Sequence, residues 1–236
     1  MPNPRELLAR LNPTNVKFDI GHGGGAPELT AQDIAAALAF VTPGLGREVF
    51  CALWWPDGAS LSRCKLHQEI SRAVWQQVEH QQRKLVAARL EVNILQDDIH
   101  SRHAATDECR RALAAAQAKV AAATRARWPD EPLMVVRIRS AVLEEMAKPN
   151  HCGTCGGRGQ VMVGEATRVC PTCSGRRLIP VSNRSRAEAI GRDEKTYRDS
   201  WRGMYEWLWN RLTDAEHAAA QEFARALGRA RRVEAA

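Results

Sequence analysis

The chain lacks any long hydrophobic run. No stretch approaches the roughly 18 uninterrupted apolar residues that a membrane-spanning helix needs, and the opening Met1-Pro-Asn-Pro-Arg-Glu carries no apolar secretory segment. Paired carboxylates, a nucleophile motif and a nucleotide loop are also missing, so an enzyme is not expected. The run Gly23-Gly24-Gly25 beside His22 has no Lys-Ser/Thr after it, which argues against a phosphate loop. Cysteine is too sparse, at seven residues, for a secreted disulfide scaffold. A reducing cytoplasm is the expected setting, with Cys51, Cys64 and Cys109 expected as small buried apolar residues.

What is abundant is positive charge. Lys and Arg number 34 against 27 Asp and Glu, a net +7, and the sequence pI is near 9.3. Between Lys148 and Leu212 there are 12 Lys/Arg and 6 Asp/Glu, so one quarter of the chain carries +6 of that excess. A polyanionic partner, nucleic acid above all, suits this distribution.

Proline and glycine punctuate the chain. Residues 1–28, with four prolines and the triple glycine, read as a flexible leader. Residues 29–65 read as a helical region, opened by Thr30 as N-cap with Asp33 in the first turn and interrupted at Pro43-Gly44. No Pro or Gly occurs from Ser60 to Trp128. Within 66–128, Leu85, Ala88, Val92, Leu95, Ile99, Arg102, Thr106, Cys109, Leu113, Ala116, Val120 and Ala123 alternate three and four apart, a heptad seam. One long helix and a helical hairpin folding back near Asp97–Asp107 both satisfy it. So do a seam packed within the monomer and a self-associating zipper. Residues 129–150 read as a helix leading to the cysteines, and 213–236 as a solvated, Ala-rich C-terminal helix or tail.

Cys152-Gly-Thr-Cys155 and Cys170-Pro-Thr-Cys173 are two Cys-x-x-Cys pairs with 14 residues between them. Two such turns facing each other supply the four soft ligands of a tetrahedral zinc ion, and four thiolates close the shell, so the expected zinc is single and structural. Gly157, Gly159 and Gly175 permit the positive φ values of tight knuckles. Gln160–Val163 and Thr167–Val169 suggest a short β-hairpin inside residues 151–180. His151 reads as a neighbour of the site.

Residues 181–212 have a helix-turn-helix-like pattern. Ala187, Ile190, Gly191 and Tyr197 occupy the offsets of a small residue, an apolar residue, a turn glycine and a core residue, while Arg186 and Arg192 stand where apolar residues are more usual. Tyr197, Trp201, Met204, Tyr205, Leu208 and Leu212 form an apolar stripe, and Lys195, Arg198 and Arg202 fall on the other side. That basic face suits a DNA major groove; an ordinary charged solvent face has the same pattern. The expected fold is mainly α, with a small four-cysteine zinc knuckle bearing a β-hairpin, a helix-turn-helix-like DNA-binding region and the long heptad helix or hairpin.

The segments Cys152-Gly-Thr-Cys-Gly-Gly-Arg-Gly159, Cys170-Pro-Thr-Cys-Ser-Gly175 and Thr196-Tyr-Arg-Asp-Ser-Trp-Arg-Gly-Met-Tyr-Glu-Trp-Leu208 resemble the antitermination protein Q of lambdoid bacteriophages. Asp33-Ile-Ala-Ala-Ala-Leu and Phe50-Cys51 also look like that family's beginning, and the heptad region looks like an enlarged middle. The resemblance implies binding to double-stranded DNA within a late promoter, engagement of host RNA polymerase with its sigma factor, and read-through of terminators. It implies a zinc knuckle supporting a DNA reader, with Lys195, Thr196, Arg198 and Arg202 in that role. Arg176 and Arg177 replace the glycine-containing end of the second knuckle, either adding phosphate contacts or giving it another shape. Arg184 and Arg186 complete the expected DNA-contacting set. Two rivals share features: a zinc-dependent promoter repressor, and a DnaJ-type thiol chaperone module, which has four such repeats where this chain has two.

Overall fold

The computed structural model describes residues 3–12, 29–101, 106–163 and 166–234. Helices dominate. α1 (Pro4–Ala9), α2 (Ala31–Ala39), α3 (Leu45–Trp54) and the short α4 (Pro56–Ala59) precede α5 (Arg63–Ser101), the longest element. α6 (Asp107–Ala126) and α7 (Pro132–Ala147) follow. Strands β1 (Gln160–Val163) and β2 (Ala166–Val169) pair antiparallel, Gln160 opposite Val169. The chain ends with α8 (Asn183–Ala189), α9 (Glu194–Thr196), a π turn over Tyr197–Trp201, and α10 (Arg202–Glu234). Among the described residues no helix is long and apolar enough to cross a membrane.

Local chemistry sets these boundaries. The Thr30 hydroxyl accepts from the Asp33 amide and the Asp33 carboxylate accepts from the Thr30 amide, so the expected cap is a full capping box. Pro132 opens α7 and Pro56 opens α4, where a missing amide hydrogen costs nothing. The leader expected over residues 1–28 is corrected at its start: Asn3 caps α1, whose Leu7 and Leu8 are buried. Residues 1, 2 and 13–28 of that segment lie outside the described residues.

Two apolar cores share α10. Its first half contributes Met204, Tyr205, Leu208 and Leu212 to a core with Ile70 and Val74 of α5, Ile138 and Val142 of α7, and Ala187 of α8. Its second half contributes Ala219, Ala220, Phe223 and Leu227 to a core with Leu8, Ile34, Leu38 and Phe50. The solvated tail expected after residue 213 is thus corrected to a packed helix. Glu216 anchors this half, accepting from Arg5 at 2.8 and 2.7 Å and from the Trp54 indole at 2.8 Å.

The heptad region is a helical hairpin. α5 and α6 pack against each other, and Lys119 reaches Glu91 across the pair at 2.7 Å. Leu85, Ala88 and Ala116 are buried, and Val92, Leu95, Ile99, Cys109, Leu113, Val120 and Ala123 are half-buried, so the seam closes within one chain. Thr106 leaves the seam: its hydroxyl caps α6 by accepting from the Cys109 amide. Arg102 lies outside the described residues. Of the three other cysteines, Cys51 is buried, Cys109 half-buried and Cys64 exposed, which corrects the last.

Candidate metal centre and helix pair

Cys152, Cys155, Cys170 and Cys173 are buried together, their sulfurs all within 4.8 Å of one another. Cys152 Sγ is 3.8 Å from Cys170 Sγ, and Cys155 Sγ is 3.8 Å from Cys173 Sγ. Metal–sulfur bonds of about 2.3 Å in a regular tetrahedron place sulfurs about 3.8 Å apart, whereas a disulfide would bring them to about 2.05 Å. The cluster can hold a metal ion and is compatible with one structural zinc. His151 does not join it; its ring packs over Gly157, where a Cβ would meet Nδ1 at 2.9 Å.

The two knuckles repeat each other at an offset of 18 residues. The Cys152 amide donates to the Arg177 carbonyl and the Cys170 amide to the Gly159 carbonyl, both at 2.9 Å. Arg158 Nε donates to the Cys155 carbonyl, and Arg176 Nε to the Cys173 carbonyl. The hydroxyls of Thr154 and Thr172 meet at 2.9 Å. Even backbone angles match: φ is +55° at Gly156 and +49° at Ser174, +77° at Gly157 and +81° at Gly175, +78° at Gly159 and +70° at Arg177. The departure from the glycine pattern at Arg177 therefore leaves the knuckle's shape unchanged. Arg177 instead occupies a left-handed conformation that costs an L-residue about 1–2 kcal/mol.

Backbone amides aim at the sulfurs. The Gly159 amide donates to Cys155 Sγ at 3.2 Å. The Cys155 amide lowers the Cys152 thiol to about 7, and the Cys173 amide lowers Cys170. Burial pushes Cys173 up to about 11, reinforced by the neighbouring thiols. Thiolates are the form in which cysteine ligates a metal, and a bound cation favours that form.

Beyond the knuckle, α8, a turn and α9 form two helices at a tight corner. α8 ends in a Schellman motif: the Gly191 amide donates to the Glu188 carbonyl, the Arg192 amide to the Ala187 carbonyl, and Gly191 takes φ +69°. Asp193 caps α9, accepting from the Thr196 amide at 2.9 Å and its hydroxyl at 2.6 Å. Ala187, Ile190 and Tyr197 are buried as their spacing requires.

The eight expected DNA-contacting residues divide. Lys195 and Arg198 are exposed on the outer side of the second helix. Arg202 is exposed but pairs with Glu206 at 2.8 Å, and Arg184 pairs with Glu188 at 3.0 Å. Arg176 braces its knuckle through Nε, Arg177 is exposed, and the half-buried Thr196 spends its hydroxyl on Asp193. Arg186 is corrected outright. Its side chain is 12% exposed and makes a two-pronged ion pair with Glu145 of α7 at 2.9 and 2.6 Å. It stacks over Tyr205 and Trp209, and Tyr205 donates to the same carboxylate at 2.7 Å. Burial opposes the charge on Arg186, but Glu145 outweighs it and its pKa is raised; burial also raises that of Tyr205. This explains an arginine at an apolar position: its charge is neutralised and its plane packed. The pair was not foreseen, because 41 residues separate its members.

No family model, curated protein or solved structure matches the chain.

Proposed function

We propose that this chain is a zinc-stabilised, DNA-binding regulator that acts as a transcription antiterminator of bacteriophage late genes. The observation that carries the reading is the helix pair 183–212, locked onto α7 by Arg186 and Glu145, with Lys195 and Arg198 exposed on its second helix. A rigid helix presenting cations can enter a major groove, where arginine reads guanine edges and lysine meets phosphate. The likeness of the knuckles and of residues 196–208 to the Q family supplies the remainder: a late-promoter DNA element, and host RNA polymerase with its sigma factor as partner. Zinc holds the knuckle, from which the chain runs directly into α8.

The test has two parts. Arg198→Ala weakens binding to the promoter element by about 1–3 kcal/mol at fixed salt if it contacts a base. Added zinc-loaded protein lengthens run-off transcripts past a terminator. Unchanged affinity in the variant removes the DNA surface from this helix. Binding without read-through leaves a promoter repressor as the reading.

A further inference from the structure

α5 has a second apolar line that neither core nor hairpin uses. Val86, Leu90 and Ile94 are 59%, 57% and 58% exposed. At about 100° per residue they lie roughly opposite the Leu85–Ala88–Val92–Leu95–Ile99 seam that faces α6. Three large apolar side chains in a row on the outside of a helix mark an interaction surface more readily than scattered ones do.

The flanking charges select the occupant. Arg83 lies seven residues before Leu90 and Asp97 seven after it, both exposed on the same side of the helix. Among the described residues Arg83 has one ion-pair partner, the exposed Glu79 at 2.8 Å, and Asp97 has none. Setting a second α5 antiparallel about a two-fold axis at Leu90 places Leu90 on Leu90, Val86 on Ile94, and Arg83 on Asp97, twice over. A parallel pairing would put Arg83 on Arg83 and Asp97 on Asp97. The line is therefore self-complementary in one orientation only, as an isologous interface requires.

We propose that the protein forms an antiparallel dimer through this outer face of α5, with the two-fold axis at Leu90. The heptad seam stays within each chain, and the two hairpins stand back to back as a four-helix layer. This does not rest on the DNA-binding reading.

Sedimentation equilibrium of the full-length, zinc-loaded protein tests it. The wild type is expected to be dimeric. Leu90→Glu, at an exposed position, is expected to weaken the dimer at least roughly tenfold, about 1.4 kcal/mol, with unchanged helical circular dichroism and zinc content. Arg83→Asp weakens it too, and adding Asp97→Arg restores it. Oxidative cross-linking with Cys64 and Cys109 replaced by serine gives the orientation. Leu90→Cys links to itself. Val86→Cys does not, because its symmetry mate lies about 12 Å away along the helix, beyond the roughly 7 Å Cα separation a disulfide spans; it links to Ile94→Cys instead. A monomeric wild type, a dimer indifferent to Leu90→Glu, or self-linking Val86→Cys would each overturn the proposal.

Discussion

Removing the Glu145 carboxylate tests how the helix pair is held. In Glu145→Ala, Arg186 keeps its place between Tyr205 and Trp209 but loses both charge-assisted hydrogen bonds, and the Tyr205 hydroxyl loses its acceptor. Breaking a buried ion pair from one side costs about 3–5 kcal/mol. The residual exposure of Arg186 and its two ring contacts return part of this, leaving a loss of ~3 kcal/mol. For a chain of 236 residues that corresponds to a fall in Tm of roughly 6–12 °C. Urea unfolding with zinc in excess, followed by tryptophan fluorescence, gives the value. Replacing both partners, Glu145→Leu with Arg186→Met, should cost clearly less than the two single losses added together, since the penalty lies in the orphaned charge. A Glu145→Ala variant within about half a kcal/mol of wild type, or strict additivity in the double variant, would refute this account.

Four further outcomes are expected. Gly159→Ala, at φ +78° with a Cβ meeting the Gly175 carbonyl oxygen at 2.8 Å, weakens zinc retention against a competing chelator by about 2 kcal/mol. At the matching position of the other knuckle, Arg177→Gly stays within about half a kcal/mol of wild type, because relieved strain offsets the entropy of a more mobile unfolded chain. Cys170→Ser loses stoichiometric zinc by elemental analysis, and proteolysis then cuts within residues 151–180, because metal binding and folding of this segment are one event. The Asp193 carboxyl is held below its usual range by the Thr196 hydroxyl and amide. Its stabilising effect is full above the ordinary carboxylate pKa of about 3.9 and is lost as pH falls through the lower folded value. Asp193→Asn should flatten the urea midpoint against pH in that acid window alone.

The four-cysteine cluster was the most legible part of the sequence, because all four thiols and their glycines lie within 24 residues and the constraint is local. What the spacing concealed was how fully the second knuckle copies the first, since a left-handed arginine looks like a departure until its φ is known. Heptad spacing identified the seam residues but not what they face: a three-four alternation is the same for a hairpin and a zipper. The start of α6 did carry a signal, Thr106 followed by Asp107 and Glu108, which is the chemistry of a helix N-terminus rather than of a seam. The second half of α10 gave little warning. Its buried face holds two alanines and only two large residues, and its anchor, Glu216 with Arg5, joins positions 211 apart. Arg186 misled for a related reason: its charge suggested a DNA contact, and only its distant carboxylate partner, Glu145, shows otherwise.

The π turn between α9 and α10 has its own consequence. There the Arg202 amide donates to the Tyr197 carbonyl, five residues back, so one residue more than a regular helix would hold is stored in a single turn. Were the same residues straightened into α-helix, everything before them would swing by about 100° and shift by about 1.5 Å, carrying Lys195 away from the direction it now points. Losing one residue at exposed Asp199 or Ser200 would instead erase the bulge and leave Lys195 aimed as before. Between the Gly191 corner and the buried face of α10, this turn is where one residue can be lost without re-aiming that corner.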